Sequence, residues 1–204
     1  MSDRVRLKDR KHEAILRAAA EVFHAQGFNS ASMDCIADTA QVSKRTVYNH
    51  FASKDLLFTA LVRHLQQSPS ARQQFPYDPQ RQLRDQLGGI AHEIIAFHCA
   101  PESRCLSRVI VSRLLQAPHL AQELFAGGRI FEASLAAWIR SGDEDGRLKC
   151  EDAAYAARQF LGLLETCTMW PQLLKGIADP TPDEADQIVA RTATMFLATY
   201  GTTE

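Results

Sequence analysis

The stretch that decides the fold is residues 32–58, SMDCIADTAQVSKRTVYNHFASKDLLF. Ser32, Ser43 and Ser53 each precede a run with helical apolar spacing, and serine is favoured at the residue that begins a helix. The stretch therefore predicts two short helices joined by a tight connection at residues 41–43, followed by the start of a third helix. Two short helices at this separation are what a helix-turn-helix requires, and that motif places its second helix in the major groove of DNA.

The second of these helices has one apolar and one polar face. Val47 and Phe51 are spaced i, i+4 and are predicted to point into the core. Arginine or lysine on the other face can pair with guanine, and asparagine with adenine. Any small helix pair with a polar outer face gives the same pattern, so periodicity alone leaves DNA binding open. The polar positions are Lys44, Arg45, Thr46, Asn49 and His50.

The flanking segments extend the same helical pattern. Apolar residues at 15, 16, 19, 22 and 23 fall on one helix face, and Gly27 followed by Phe28 is typical of a helix C-terminus. After a further helix through residue 65, residues 66–80 contain three prolines and five glutamines. This break predicts a boundary between a domain at 1–66 and a domain at 67–204.

The remaining residues are also predicted to be helical. Apolar residues step by three and four from Leu83 to Phe97, prolines at 101 and 118 interrupt further helices, and residues 130–139 and 151–169 continue the pattern. Residues 142–146 (GDEDG) predict a turn, and Asp183 is a candidate cap for a last helix through Tyr200. The predicted fold class is all-α: an N-terminal three-helix helix-turn-helix DNA-binding domain plus a C-terminal helical bundle.

Residues 32–55 resemble the signature of the TetR family of bacterial regulators. The matching parts are Ser32, Ile36–Ala37, Val42–Ser43, residues 46–51 (TVYNHF) and residues 53–55 (SKD). Serine stands at position 32, where threonine is common in the family. The resemblance implies a ligand-responsive DNA-binding transcription regulator that acts as a homodimer and is by default a repressor. Its implied partners are double-stranded operator DNA and a small-molecule effector.

The resemblance also assigns roles to individual residues. Ser32, Tyr48, His50 and Lys54 would contact phosphates, which set the register of the protein on DNA. Lys54 stands at a helix N-terminus, where backbone N–H groups also favour an anion. The residues that would face base edges are Lys44, Arg45, Thr46 and Asn49, and Ser43 completes the predicted DNA-binding set.

Residues 102–176 resemble the C-terminal domain of AefR-like members of the family. This resemblance implies that the bundle holds an effector pocket and that its last two long helices pair with a second copy. An aromatic-rich core and a completed monomer core would produce the same apolar patterns. The candidate pocket residues are Phe97, His98, Arg104, Phe131, Trp138, Met169 and Trp170. The candidate interface residues are Ala157, Phe160, Leu161, Leu164, Met195 and Phe196.

The composition bears on DNA binding and on the cellular compartment of the protein. Residues 1–55 hold nine Lys or Arg against seven Asp or Glu, and residues 56–204 hold fourteen against seventeen. Five of the nine basic residues form an N-terminal arm that either contacts phosphates or is only solvated: Arg4, Arg6, Lys8, Arg10 and Lys11. No apolar run approaches the roughly 18 residues of a membrane span, and the charged N-terminus is not a secretory signal. We expect a cytoplasmic protein without a membrane partner, whose five scattered cysteines stay reduced.

Other classes of protein fit less well. A di-iron enzyme needs Glu-x-x-His on two helices, and the pattern occurs once, at residues 21–24. No HExxH or G-x-S-x-G motif is present, so we expect no enzyme activity, no cofactor and no metal site. A metal- or redox-responsive regulator remains as the alternative, through His92, His98, Cys99, Cys105 and His119. An interaction module without DNA affinity is disfavoured by the recognition-helix pattern.

Overall fold

The structure is a computed structural model that describes residues 2–126 and 128–202, with side chains from residue 9 onward. About 74% of the chain is helical, and the described residues form no strand, which confirms the all-α prediction. One isolated antiparallel bridge joins Leu148 and Gly201. The helices are α1 Ser2–Ser30, α2 Met33–Thr39, α3 Lys44–His50, α4 Lys54–Gln66, α5 Leu83–Cys99, α6 Pro101–Gln116, α7 His119–Leu124, α8 Glu132–Glu144, α9 Ala153–Thr168, α10 Trp170–Lys175 and α11 Pro182–Tyr200.

The chain divides into two compact units. The first unit combines Met1–Gln67 with Cys105–Ala126, and the second combines Ser68–Arg104 with Gly127–Glu204. The predicted break near residue 67 coincides with one of these divisions. The sequence does not predict that residues 105–126 return to the N-terminal unit, and the second division falls inside α6.

In the first unit, α1 packs against α2 and α4, and α2 packs against α3. The predicted inward positions are buried, including Ile15, Ile36, Val47 and Leu57, each with no exposed surface. Gly27 has φ +76° and interrupts α1 near its predicted end, although helical turns continue to Ser30. Glycine adopts this conformation without the steric cost that other residues incur.

In the second unit, α9 packs against α5, α8, α10 and α11, and α5 also packs against α11. Its core contains Trp138, Leu135, Ile139 and Phe160, which are essentially inaccessible to solvent. Burying aromatic and branched apolar side chains from these helices on one another is the main stabilising contribution to such a bundle. The predicted helix at 151–169 is confirmed as α9, with Asp152 capping its first turn.

Three predicted boundaries differ from the structure. Helix α8 begins at Glu132 rather than at residue 130, because Phe131 has a left-handed backbone with φ +68°. The predicted turn at 142–146 starts later, because α8 continues to Glu144. Gly142 lies within the helix, and its lack of a side chain leaves room for Leu148. Thr181 rather than Asp183 caps α11, and it forms a reciprocal capping box with Glu184.

Within the described part of the chain, no helix is both long enough and apolar enough to cross a membrane.

Candidate nucleic-acid interface

Three serines fix the helix starts in the helix-turn-helix. The Oγ atoms of Ser32, Ser43 and Ser53 accept hydrogen bonds from the backbone N–H groups of residues 35, 46 and 56, at 3.1, 3.1 and 3.2 Å. Each bond satisfies one of the amide groups that the first helical turn leaves unpaired. The predicted N-caps are therefore confirmed. Between α2 and α3 the chain turns through Gln41, whose φ is +54°.

The recognition helix α3 presents the predicted polar face. Lys44, Arg45, Tyr48 and Asn49 are exposed, whereas Thr46 and His50 are partly buried and Val47 is buried. Tyr48 exposes 45% of its surface, which is high for an aromatic residue, so its ring and hydroxyl are accessible to a partner. The hydroxyls of Ser43 and Thr46 lie 2.8 Å apart and bond to each other. This face carries donors and acceptors suited to base edges and phosphates.

Lys44 makes an ion pair that the sequence does not predict. Its Nζ lies 2.7 Å from Oδ1 and 2.8 Å from Oδ2 of Asp34, in the first turn of α2. Both side chains are more than half exposed. The hydrogen bond and the negative charge of Asp34 raise the pKa of Lys44. The pair places a carboxylate at the edge of the surface predicted to face DNA.

Lys54 is engaged within the protein. Its Nζ donates hydrogen bonds to the carbonyl oxygens of Asn29 and Ala31, at 3.0 and 2.8 Å, and lies 4.7 Å from the centre of the Phe28 ring. Lys54 therefore stabilises the C-terminal end of α1, a position where positive charge is favourable. The predicted phosphate contact of Lys54 stays a prediction, and this structural role is added to it.

The described part of the basic arm is open to solvent. Arg10 and Lys11 are exposed on α1. The side chains of Arg4, Arg6 and Lys8 lie outside the described residues.

Residues 105–126 are joined to the N-terminal helices by polar contacts. The guanidinium of Arg113 stacks over Phe28 at 4.1 Å and donates a hydrogen bond to Asp55 at 3.1 Å. Asn29 donates to the side chain of Gln116 at 3.1 Å, and Gln66 donates to the carbonyl oxygen of residue 124 at 3.0 Å. These contacts hold the segment against the ends of α1 and α4.

In the second unit, three of the predicted pocket residues lie together. The rings of Phe97 and Phe131 meet edge to face at 5.2 Å, and His98 lies beside Phe97 at 6.2 Å. The Nδ1 atom of His98 lies 2.9 Å from the hydroxyl of the fully buried Thr168. Burial, with a smaller contribution from the positive charge of Arg129, lowers the pKa of His98 to about 4. His98 is therefore neutral at physiological pH.

Two ion pairs that helical spacing in the sequence does not predict border this cluster. Arg129 forms an ion pair with Glu165, and Arg158 pairs with Glu132 at 2.9 Å. Both glutamates are more than 90% buried as residues, and such carboxylates are retained when a cation pairs with them. Helical periodicity gives no signal for these pairs, because the partners are 36 and 26 residues apart.

The other predicted pocket residues lie elsewhere in the unit. The indole N–H of Trp138 donates to the side chain of Gln86 at 3.1 Å, and its ring packs against Tyr77. Arg104 donates to Asp179 and to the carbonyl oxygen of Cys99, both at 2.6 Å. Met169 is partly buried, and Trp170 exposes 38% of its surface. The structure thus brings Phe97, His98 and Phe131 together and does not place these four with them in one cluster.

The predicted dimer residues divide into two groups. Met195 is 56% exposed and lines a groove of about 440 Å³ formed by α9, α10, α11 and the connecting residues. The other five are buried within the protomer, which corrects their assignment as interface residues. A side chain that is already inaccessible in one chain has no surface left to bury against a second chain. These core residues are Ala157, Phe160, Leu161, Leu164 and Phe196.

None of the five cysteines, all of which lie in the described part of the chain, forms a disulfide bond. Burial and the charge of Asp179 raise the pKa of Cys99 to about 11, so its thiolate is scarce at neutral pH. Among residues 2–126 and 128–202, no three His, Cys, Asp or Glu side chains form a group that could hold a metal ion.

Comparisons with known proteins agree with these features. Residues 15–61 match the family profile described as bacterial regulatory proteins, tetR family. Residues 85–202 match the profile of the AefR-like transcriptional repressor C-terminal domain. A TetR family transcriptional regulator from Pseudomonas syringae pv. tomato is 35% identical, with a TM-score of 0.82 and 100% of each chain covered.

Two further relatives are named for different properties, one for its response to a ligand and one for its effect on transcription. The flavonoid-responsive regulator FrrA is 27% identical with a TM-score of 0.74, over 96% of this chain and 100% of its own. The HTH-type transcriptional activator FasR of Mycolicibacterium smegmatis is 46% identical over 59 residues. That match spans 28% of this chain and 27% of FasR, so it concerns less than a third of either protein.

Proposed function

The chain belongs to the TetR family of transcription regulators, and from this membership we propose that it is a repressor whose affinity for a palindromic operator is lowered by a small organic effector. The matched profiles and relatives are regulators rather than enzymes. We further propose that it acts in the cytoplasm, where it meets the chromosome.

The polar face of α3 is the observation that carries this proposal. Arg45 and Asn49 are exposed on it, and both residue types make paired hydrogen bonds to purines in the major groove. Arg45 and Asn49 are assigned to base readout together with Lys44 and Thr46. Contacts to the phosphates that flank the groove are assigned to Ser32, Ser43, Tyr48 and His50, with Lys54 at the edge.

We propose a homodimer from the geometry of DNA recognition. One protomer offers one recognition helix, whereas a palindrome has two half-sites about one DNA turn apart. The groove around Met195 is the proposed contact with the second copy, because exposed apolar side chains gather there. Ile177 and Met195 both line the groove, and each exposes more than half of its surface. Apolar surface of this kind is typical of obligate homodimer interfaces.

The effector is proposed to bind beside Phe97, Phe131 and His98. Aromatic rings with a few polar groups among them are typical of small-molecule sites. His98 is neutral at physiological pH and its Nδ1 is engaged with Thr168, so its Nε2 can offer a hydrogen bond without a net charge. This chemistry favours an aromatic or amphipathic compound that carries a hydroxyl or carbonyl group. The name of FrrA, a flavonoid-responsive relative, fits such a compound.

Release of DNA requires the effector to prefer one conformation of the protein. A ligand with equal affinity for the bound and released states shifts nothing. We propose that residues 105–126 carry the change, since they continue α6 from its first turn in the second unit and pack on α1 and α4 in the first. Operator DNA must then weaken effector binding by the same factor by which the effector weakens DNA binding.

The test begins with selection of an operator from a random duplex library by the full-length protein. Aromatic compounds are then screened by the fluorescence of Trp138 and Trp170, and each binder is assayed for release of the operator in an electrophoretic shift. We expect at least one binder to release DNA. If no sequence is selected, the DNA-binding proposal fails. If binders leave operator affinity unchanged while Zn²⁺ or peroxide abolishes it, the metal- or redox-responsive alternative replaces the organic effector.

A further inference from the structure

The ion pair between Lys44 and Asp34 places an anion where DNA would come. Lys44 is the first residue of the recognition helix, and Asp34 lies in the first turn of the preceding helix. The Nζ atom is within 2.8 Å of both carboxylate oxygens. An exposed pair of this kind contributes little to stability, because water screens it and two flexible side chains lose freedom. A role in folding therefore does not explain its position.

The ion pair has different consequences for the binding of Lys44 to a DNA base and to a DNA phosphate. Guanine O6 and N7 are neutral, so Lys44 can donate to them and keep one of its three protons on Asp34. A phosphate is an anion, and sharing one ammonium with the carboxylate brings two negative charges close together. Alternatively, Lys44 can leave Asp34 for the phosphate, which exchanges one anionic partner for another and leaves Asp34 unpaired beside DNA. Both routes penalise phosphate binding relative to base binding.

We infer that Asp34 is a specificity-determining residue that withholds Lys44 from the phosphates of non-specific DNA and leaves it available to a base in the operator. This inference rests on the proposed DNA-binding function. Non-specific affinity comes almost entirely from phosphate contacts, so removing one such contact lowers binding to random sequence more than binding to the operator. Asp34 thus acts by selecting the partner of another residue.

Asp38 provides a matched control. It lies one helical turn after Asp34 in α2, it is exposed, and it carries the same charge. Asp34→Asn and Asp38→Asn remove equal charge from the same helix, but only the first removes a partner of Lys44. Both positions are exposed on the surface, so the amide is tolerated at each, and cooperative thermal unfolding followed by circular dichroism verifies that both variants fold.

The experiment measures fluorescence anisotropy on the selected operator and on a scrambled duplex of equal composition, between 50 and 200 mM salt. One phosphate contact steepens the salt dependence by about 0.9, which corresponds to about 3.5-fold in affinity over this range. We expect Asp34→Asn to steepen the slope on scrambled DNA by about this amount and to lower the ratio of operator to scrambled affinity about threefold. Asp38→Asn should leave the ratio unchanged.

Lys44→Met, alone and combined with Asp34→Asn, completes a double-mutant cycle. In the presence of Lys44→Met, Asp34→Asn should no longer change the ratio, because the residue that it releases is absent. Equal effects of Asp34→Asn and Asp38→Asn, or an effect that persists without Lys44, would overturn the inference and leave only a change of net charge. Failure of the wild-type protein to prefer any sequence would instead refute the proposed function itself, and this inference with it.

Discussion

Replacing Arg113 by alanine should loosen the attachment of residues 105–126 to the DNA-binding helices. Its guanidinium stacks at 4.1 Å over the ring of Phe28, which is only 9% exposed, and bonds to Asp55 at 3.1 Å. The side chain itself is 17% exposed. Alanine removes the stacking, the ion pair and the buried aliphatic stem together.

The magnitude follows from the two partners. Asp55 is 65% exposed, so solvent screening limits the ion pair to about 0.2–1 kcal/mol. The stack on a largely buried ring is worth about 1–2 kcal/mol, since cation–π contacts strengthen as they are desolvated. We therefore expect Arg113→Ala to lower the free energy of unfolding by about 2 kcal/mol. Asp55→Asn should cost less than half of that, and Arg113→Lys should fall between them, because an ammonium lacks the planar face.

Urea denaturation followed by circular dichroism measures these differences. Trp138 and Trp170 both lie in the second unit, so their fluorescence follows that unit in the same samples. The circular dichroism midpoint should fall in Arg113→Ala, with the fluorescence midpoint less affected. If Asp55→Asn costs as much as Arg113→Ala, the ion pair dominates and the stacking argument is wrong. A loss below about 0.5 kcal/mol would refute the attachment altogether.

Three further predictions concern the titration, the DNA contacts and the dimer. The pKa of His98 is about 4 in the folded chain and near 6.5 when unfolded, so stability should fall by roughly 3 kcal/mol as pH drops from 6.5 to 4. Denaturation of His98→Gln across this range should show a shallower decline, and parallel curves would contradict the assignment. Arg45→Ala or Asn49→Ala should cost about 1–3 kcal/mol on the operator and much less on scrambled DNA, which anisotropy titrations measure; equal losses would disprove base readout. Met195→Asp should weaken the dimer in sedimentation experiments while the protomer stays folded, whereas Leu164→Asp, a change within the core, should unfold it. A Met195→Asp protein that still sediments as a dimer would move the interface away from the groove.

Local signals in the sequence predicted the recognition unit well. Ser32, Ser43 and Ser53 act on amides three residues ahead, so each cap depends only on neighbouring sequence. The inward positions Val47 and Phe51 follow from helical spacing in the same way. These features are recognisable because the chain segment that forms them is short.

Contacts between distant segments were not predictable from spacing. Arg113 meets Asp55 across 58 residues, and no periodic pattern links the two positions. Apolar spacing in α9 correctly indicates a buried face, but it does not distinguish burial in the same chain from burial against a partner. Leu164, a candidate interface residue in the sequence, has no exposed surface in the protomer. Distinguishing the two cases requires the positions of all neighbouring helices.

The return of residues 105–126 to the N-terminal helices limits how this regulator can be re-engineered. A hybrid that grafts residues 1–66 onto the C-terminal half of another family member would lose Arg113 and Gln116, the partners of Phe28, Asp55 and Asn29. In such a hybrid, Phe28 and Asp55 of the transplanted DNA-binding domain would face a C-terminal half that lacks their partners. An exchange that carries residues 105–126 along with the N-terminal helices should preserve the fold of the DNA-binding domain. Such hybrids would place new operators under the control of an existing effector-binding domain.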